Sequence, residues 1–161
     1  MKDKYRKFVL LGLVALVGAG TIYTYIAGEN QDKRYIEDFQ QYQVALGEMQ
    51  EDQIGNAKEK MLHLHNKYHD QANITRNLGL IYAMEGDFEK AALYYQKAVD
   101  QMPFIVQDPL FSLQFGEMLF YKGELGISQQ YIEHGKAVGL PDEYVQRADE
   151  LLAQIETEQQ R

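Results

Sequence analysis

Residues 77–103 read NLGLIYAMEGDFEKAALYYQKAVDQMP. Leu78, Gly79 and Tyr82 fall on one face of a helix. Beyond Gly86-Asp87, Ala91, Tyr95 and Ala98 recur at intervals of four and three, again on one face. Small side chains let two helices approach closely, and large rings fill the groove beside them. Gly86 supplies the backbone freedom for a short turn. Pro103 closes the second helix because it cannot continue one. The stretch therefore predicts a helix–turn–helix unit, and it contains no obvious catalytic group.

This unit resembles a tetratricopeptide repeat (TPR), a helix–turn–helix of about 34 residues. With Ala72 as position one, the pattern is met at Leu78, Gly79, Tyr82, Gly86, Ala91, Tyr95, Ala98 and Pro103. Thr75 replaces the usual tryptophan, and Tyr95 replaces phenylalanine. A weaker copy begins at Asp38, where Val44, Ala45, Ala57, Met61 and Leu64 keep the apolar and small character. In that copy Glu48 departs from the aromatic position, and Asp52 stands where glycine is usual. Forward, the register returns after three extra residues with position one at Pro109. Phe115-Gly116, Leu119, Gly123, Ser128, Ile132 and Gly135 then hold the packing positions, and Pro141 sits one past its place.

The resemblance thus implies an all-α chain with three repeats over 38–141, namely 38–71, 72–105 and 109–141. Residues 142–161 follow as a capping helix. Pro141, Asp142 and Glu143 suit its start. Tyr144, Ala148, Leu151, Leu152 and Ile155 form one apolar stripe, and the other side is charged, as a solubilising cap requires.

The N-terminus reads differently. Residues 1–7 carry Lys2, Lys4, Arg6 and Lys7 against Asp3, and residues 8–28 have no charged side chain. Twenty-one residues at helical rise span about 30 Å, the hydrocarbon thickness of a bilayer. Tyr23 and Tyr25 sit near one end, where amphipathic rings favour the interface. The expectation is an N-terminal transmembrane helix over 8–28 and a polar linker over 29–37. The basic residues place 1–7 in the cytoplasm and the repeats outside the bacterial cytoplasmic membrane, as a single-pass signal-anchor protein. Gly18-Ala19-Gly20 also fits a cleaved signal peptide.

Net charge is −8, with +3 on residues 1–28 and therefore −11 on the remainder. An acidic body argues against nucleic acid as a partner. Cysteine is absent, which excludes disulfides, a thiol nucleophile and thiolate metal sites. No strand pattern precedes a glycine-rich phosphate loop, and no Ser/His/Asp order is supported. Neither an enzyme nor a cofactor is expected. MLHLHNKYHD (61–70) places His65 and His69 four apart on one helical face, a geometry able to chelate zinc or copper. A stable site wants further ligands and second-shell support, so the metal-binding sensor stays a minor alternative to a solvated face.

In TPR proteins the first helix of each repeat lines a concave surface, and these positions lie about 120° around the helix from the core face. In the middle repeat they are Asn73, Arg76, Leu80, Ala83 and Met84, edged by Asn77. In the third they are Leu110, Leu113, Glu117, Phe120 and Tyr121, edged by Gln114. The first supplies Phe39, Tyr42, Leu46, Met49 and Gln50. Tyr42, Leu46, Arg76, Asn77, Leu80, Met84, Leu113, Gln114, Phe120 and Tyr121 form the expected protein-binding groove. So apolar and aromatic a surface marks a binding face, unless the chain's own terminal helix covers it. The family's two-carboxylate clamp is absent, because Tyr42, Leu46, Leu110 and Gln114 occupy its positions and only Asn77 fits. The reading is a non-enzymatic, membrane-anchored adaptor that binds an apolar or aromatic segment of a partner protein in envelope assembly or secretion. The rival is a self-assembling homo-oligomeric module.

Overall fold

The computed structural model describes Val17, Thr21, Thr24, Gly28 and residues 31–160, and it divides into two compact units, Met1–Gln43 and Val44–Arg161. Residues 31–50 are helical (α1), with the boundary between units inside this stretch. In the first unit Tyr35, Ile36 and Phe39 are exposed on the helix and Tyr42 is half-buried.

The second unit continues with α2 (Ile54–Lys67), α3 (Ala72–Met84) and α4 (Phe88–Gln101). A short 3-10 segment, Pro103–Gln107, then leads to α5 (Pro109–Lys122), α6 (Leu125–Ala137) and α7 (Asp142–Gln159). Helices pair in sequence, α3 with α4 and α5 with α6, and α7 packs on the last pair.

The pairs close where small residues meet large ones. A Cβ at Gly79 would lie 2.6 Å from Tyr95 Cδ2, and one at Gly116 would lie 2.5 Å from Ile132 Cγ1. Only hydrogen fits at those distances, so these two positions set how closely the helices approach. Ser128 Oγ donates to the Gly116 carbonyl at 2.6 Å and holds α6 on α5. Tyr95, Phe111 and Phe115 are fully buried and join the two pairs, with ring centroids 5.1 Å and 5.7 Å from Tyr95. Each such ring pair adds about 1 kcal/mol beyond the area it buries.

The turns inside the pairs repeat one backbone feature. Gly86 (φ 78) and Gly123 (φ 88) are left-handed, and so is Asp52 (φ 60) at the equivalent place. Aspartate is among the few side chains that tolerate this region. The three extra residues between the second and third units of the pattern are accommodated in Pro103–Gln107. There Ile105 turns inward while Phe104 stays 83% exposed.

The expected N-terminal transmembrane helix is a correction to make. Among the described residues no helix is long and apolar enough to cross a membrane. The longest of the bounded helices, α7, is strongly acidic along one side, DEYVQRADELLAQIETEQ, and cannot enter hydrocarbon. Apart from Val17, Thr21, Thr24 and Gly28, the stretch 8–28 lies outside the described residues. Those four share one helical face, and two of them bear hydroxyls, with Thr24 Oγ1 donating to the Thr21 carbonyl. The architecture described is all-α without a membrane-spanning helix. The single-pass localisation in the bacterial cytoplasmic membrane, which rested on that helix, falls with it.

Candidate functional site

The expected groove positions of the second unit lie mostly on α3 and α5. The link between them is Asp108, which does two things at once. Its Oδ1 accepts from the Leu110 and Phe111 amides at 3.0 and 3.3 Å, capping α5 ahead of Pro109. Its Oδ2 accepts from Arg76 Nη1 at 3.2 Å, so the start of α5 is tied to the middle of α3. The Nε of Arg76 is buried and has no acceptor among the described residues.

Beside this pair, the Tyr95 hydroxyl emerges from the core of α4 and donates to Gln114 Oε1 at 3.0 Å. Burial pushes the Tyr95 hydroxyl well above the usual phenol range, and the charges of Arg76, Glu117 and Asp108 act on it. It therefore stays protonated and remains a donor. Asn77 is buried on α3, while Leu80 is half-buried and Met84 is 46% exposed. Leu46 is half-buried at the start of the unit.

The equivalent face of α5 is occupied. Leu113 is only 3% exposed and packs with Ile132, Leu140, Ala148, Leu151 and Ile155, with Leu110 and Phe120 against the same cluster. Arg147 on α7 reaches across, its Nε donating to Glu117 Oε1 at 3.1 Å and its Nη2 to the Tyr121 hydroxyl at 2.9 Å. Its hydrogen bond to Glu117 raises its pKa, so it holds its charge. Tyr121 stacks on Phe88, 4.5 Å between centroids, and is 47% exposed. Of the expected groove residues of the second unit, Leu46, Arg76, Leu80 and Gln114 are half-buried, Met84 and Tyr121 are exposed, and Asn77 is buried. The structure places Leu113 in the core and Phe120 against α7. Tyr42 belongs to the first unit.

His65 lies on α2, but that helix ends at Lys67 and leaves His69 in the turn beyond it, so the two do not share the expected helical face. His65 sits edge-on to the Tyr94 ring, 5.7 Å between centroids, with Nδ1 3.4 Å from Thr75 Oγ1. Burial lowers its pKa, and Lys97 and His69 lower it further. His69 is exposed beside Asp70 at 3.3 Å. Among the described residues no three His, Cys, Asp or Glu side chains converge to hold a metal ion.

Sequence reasoning missed Tyr95, Asp108 and Arg147 as parts of this face. A signal existed for the first: tyrosine in place of phenylalanine at a core position puts one oxygen where it must find a partner.

Comparison with known proteins gives three findings. The family model for the tetratricopeptide repeat matches residues 72–104. The Photosystem I assembly protein Ycf3 of Acaryochloris marina is 39% identical over 71 residues, covering 44% of this chain and 40% of that protein. The match thus spans less than half of that relative's length. Among solved structures, the chaperone SycD of Yersinia enterocolitica, in complex with a peptide of the translocator YopD, aligns with TM-score 0.62 and 19% identity. That alignment covers 74% of this chain and 92% of SycD. PcrH, known from Pseudomonas aeruginosa, in complex with the chaperone-binding region of PopD, aligns with TM-score 0.63 and 18% identity over 74% and 91%. At these identities the likeness is one of fold.

Proposed function

Because the chain is a tetratricopeptide repeat protein, we propose that it is a non-enzymatic adaptor. It holds an apolar or aromatic segment of a partner protein on the concave face of α3, in the assembly or secretion of a larger complex. The observation that carries this reading is the state of Leu80 and Met84. They stand at groove positions of α3 and keep part of their apolar surface in water, whereas Leu113, the apolar groove position in the middle of α5, is buried. Apolar surface left open on a repeat scaffold is a docking face. The peptide-bound chaperones of the same fold, and an assembly protein among the relatives, support the adaptor class.

The test is selection of short peptides from a random library on the full chain. The selected sequences should be rich in aromatic and aliphatic residues. Leu80→Glu should abolish their binding, while Leu93→Glu, at an exposed leucine of α4, should leave it intact. Binding that survives Leu80→Glu contradicts the reading.

One observation favours a second reading, self-association. Tyr35, Ile36 and Phe39 of the first unit are each more than half exposed on adjoining turns of α1. Light scattering across a range of concentrations discriminates: a mass that never exceeds one chain excludes self-assembly. Association that Ile36→Glu/Phe39→Glu abolishes establishes it.

A further inference from the structure

We infer that α4 carries a second docking surface, an open apolar pocket beside Leu93 that takes one large apolar side chain of a partner helix, with Glu89 pairing with a Lys or Arg one turn away on that helix. None of its residues belongs to the expected groove, so it stands apart from the adaptor reading of the α3 face.

Ala91, Tyr95 and Ala98 commit one side of α4 to the core, where all three are fully buried. Leu93 lies two residues from both Ala91 and Tyr95, about 200° around the helix from each, and is 51% exposed. A lone exposed leucine is ordinary. This one is the wall of a pocket of about 440 Å³, a size within the range of clefts that hold ligands. Ala92, Phe115 and Leu119, buried where α4 packs on α5, form its floor. The pocket opens outward instead of closing over its contents, which suits an inserted side chain better than a free small molecule.

The rim decides what flanks that side chain. Lys122 lies between two carboxylates, its Nζ 2.7 Å from Glu124 and 3.6 Å from Glu89. Lys90 is held by Asp87 at 2.6 Å and adds no free charge. One ammonium therefore answers two carboxylates, and the more loosely held of them, Glu89, keeps 75% of its side chain in water. Glu89 precedes Leu93 by four residues, so the carboxylate and the apolar wall share one side of α4 with Cβ atoms about 6 Å apart.

A helix that inserts an anchor beside Leu93 brings its own neighbouring turn opposite Glu89. A carboxylate there is repelled, and a Lys or Arg completes the balance. The net charge of −8 steers the same class of partner. A second copy of this chain would bring the same negative charge and is disfavoured.

The probe is a short synthetic helical peptide with one Phe and, four residues away, one Lys on an alanine and glutamine background. Two companions replace the Lys by Glu or the Phe by Ala. In NMR titrations of the full chain, the Phe/Lys peptide should shift Leu93, Phe115 and Leu119 and leave Leu80 and Met84 in place. It should bind about tenfold more tightly than the Glu companion, a preference that collapses in about 1 M salt. Glu89→Lys should reverse that preference, Leu93→Gln should weaken binding of every form, and Leu80→Glu should change nothing. Equal binding of the Lys and Glu forms overturns the inference, as does an Ala companion that binds as tightly as the Phe form, or no shift at Leu93. Shifts at Leu93 that grow with protein concentration alone put a second copy in the pocket and overturn it too. Loss of binding in Leu80→Glu moves the peptide to the α3 face, which sinks this inference and leaves the adaptor reading standing. Library peptides indifferent to Leu80→Glu remove the adaptor reading and leave this one untouched.

Discussion

The first helices of the two pairs, α3 and α5, carry one equivalent position with opposite fates. Tyr121 and Met84 correspond and are alike, 47% and 46% exposed, and Leu113 corresponds to Arg76. Yet Leu113 belongs to the core under α7, while Arg76 lines a face that stays open. The repeat pattern tells which way a side chain points from its own helix. What covers it is decided by the next element in the chain. For α5 that element is α7, whose Ala148, Leu151 and Ile155 are fully buried and whose Arg147 reaches Glu117 and Tyr121. On α3, Leu80 keeps part of its surface in water and Met84 is 46% exposed.

The sharpest way to break this contrast is to truncate both faces. Leu113→Ala should cost about 3 kcal/mol in chemical denaturation, as for a leucine removed from a packed core. Leu80→Ala should cost less than about 1 kcal/mol. Equal losses would mean that α3 is covered too. Next in size is the helix contact that shapes α5. Gly116→Ala forces a methyl against Ile132 and should destabilise by about 1–2 kcal/mol, although alanine is intrinsically the better helix former by about 1 kcal/mol. A more stable Gly116→Ala would show that the α5–α6 packing is looser than described.

A smaller effect isolates the cover itself. Arg147→Ala removes the partly exposed ties of α7 to Glu117 and Tyr121 and should cost about 1 kcal/mol. Hydrogen exchange should then rise in α7 and α5 and stay unchanged in α3.

The smallest effect lies at the other end of the unit. His65 has a pKa lowered by burial, so the unfolded chain binds the proton more readily than the folded one. Its contribution is fully present above the unfolded value of about 6.5 and is lost as pH falls below it. The groups facing it are Thr75 on α3, Tyr94 and Lys97 on α4, and His69 in the turn after α2. Between about pH 7.5 and 5.5 the melting temperature should drop about 2 °C more in the wild type than in His65→Gln. An identical drop in both would place the titration elsewhere.

Much of this was readable from residue spacing. The Leu78-Gly79-Tyr82 and Ala91-Tyr95-Ala98 patterns announce α3 and α4, because small-against-large packing leaves a periodic trace. Gly86 and Gly123 announce their turns, and Asp52 adopts the same left-handed backbone despite not being glycine. The stripe Ala148, Leu151 and Ile155 announces α7.

What spacing did not reveal is long-range pairing. Nothing local ties Arg147 to Glu117, or Tyr95 to Gln114, since each pair joins two different helices. The i, i+4 relation of His65 and His69 suggested one helical face, but α2 ends at Lys67 before His69, and His65 lies against Thr75 and Tyr94. The uncharged run 8–28 suggested a membrane span through hydropathy alone, and no described helix supports it.

The central claim is that the α3 face, and not the α5 face, receives the partner. The direct measurement is NMR shift mapping of the full chain with a selected peptide. Shifts should concentrate at Leu80, Ala83 and Met84, and Leu113 and the buried stripe of α7 should stay in place. Shifts centred on α7, or on Leu93 and its neighbours on α4, would contradict it.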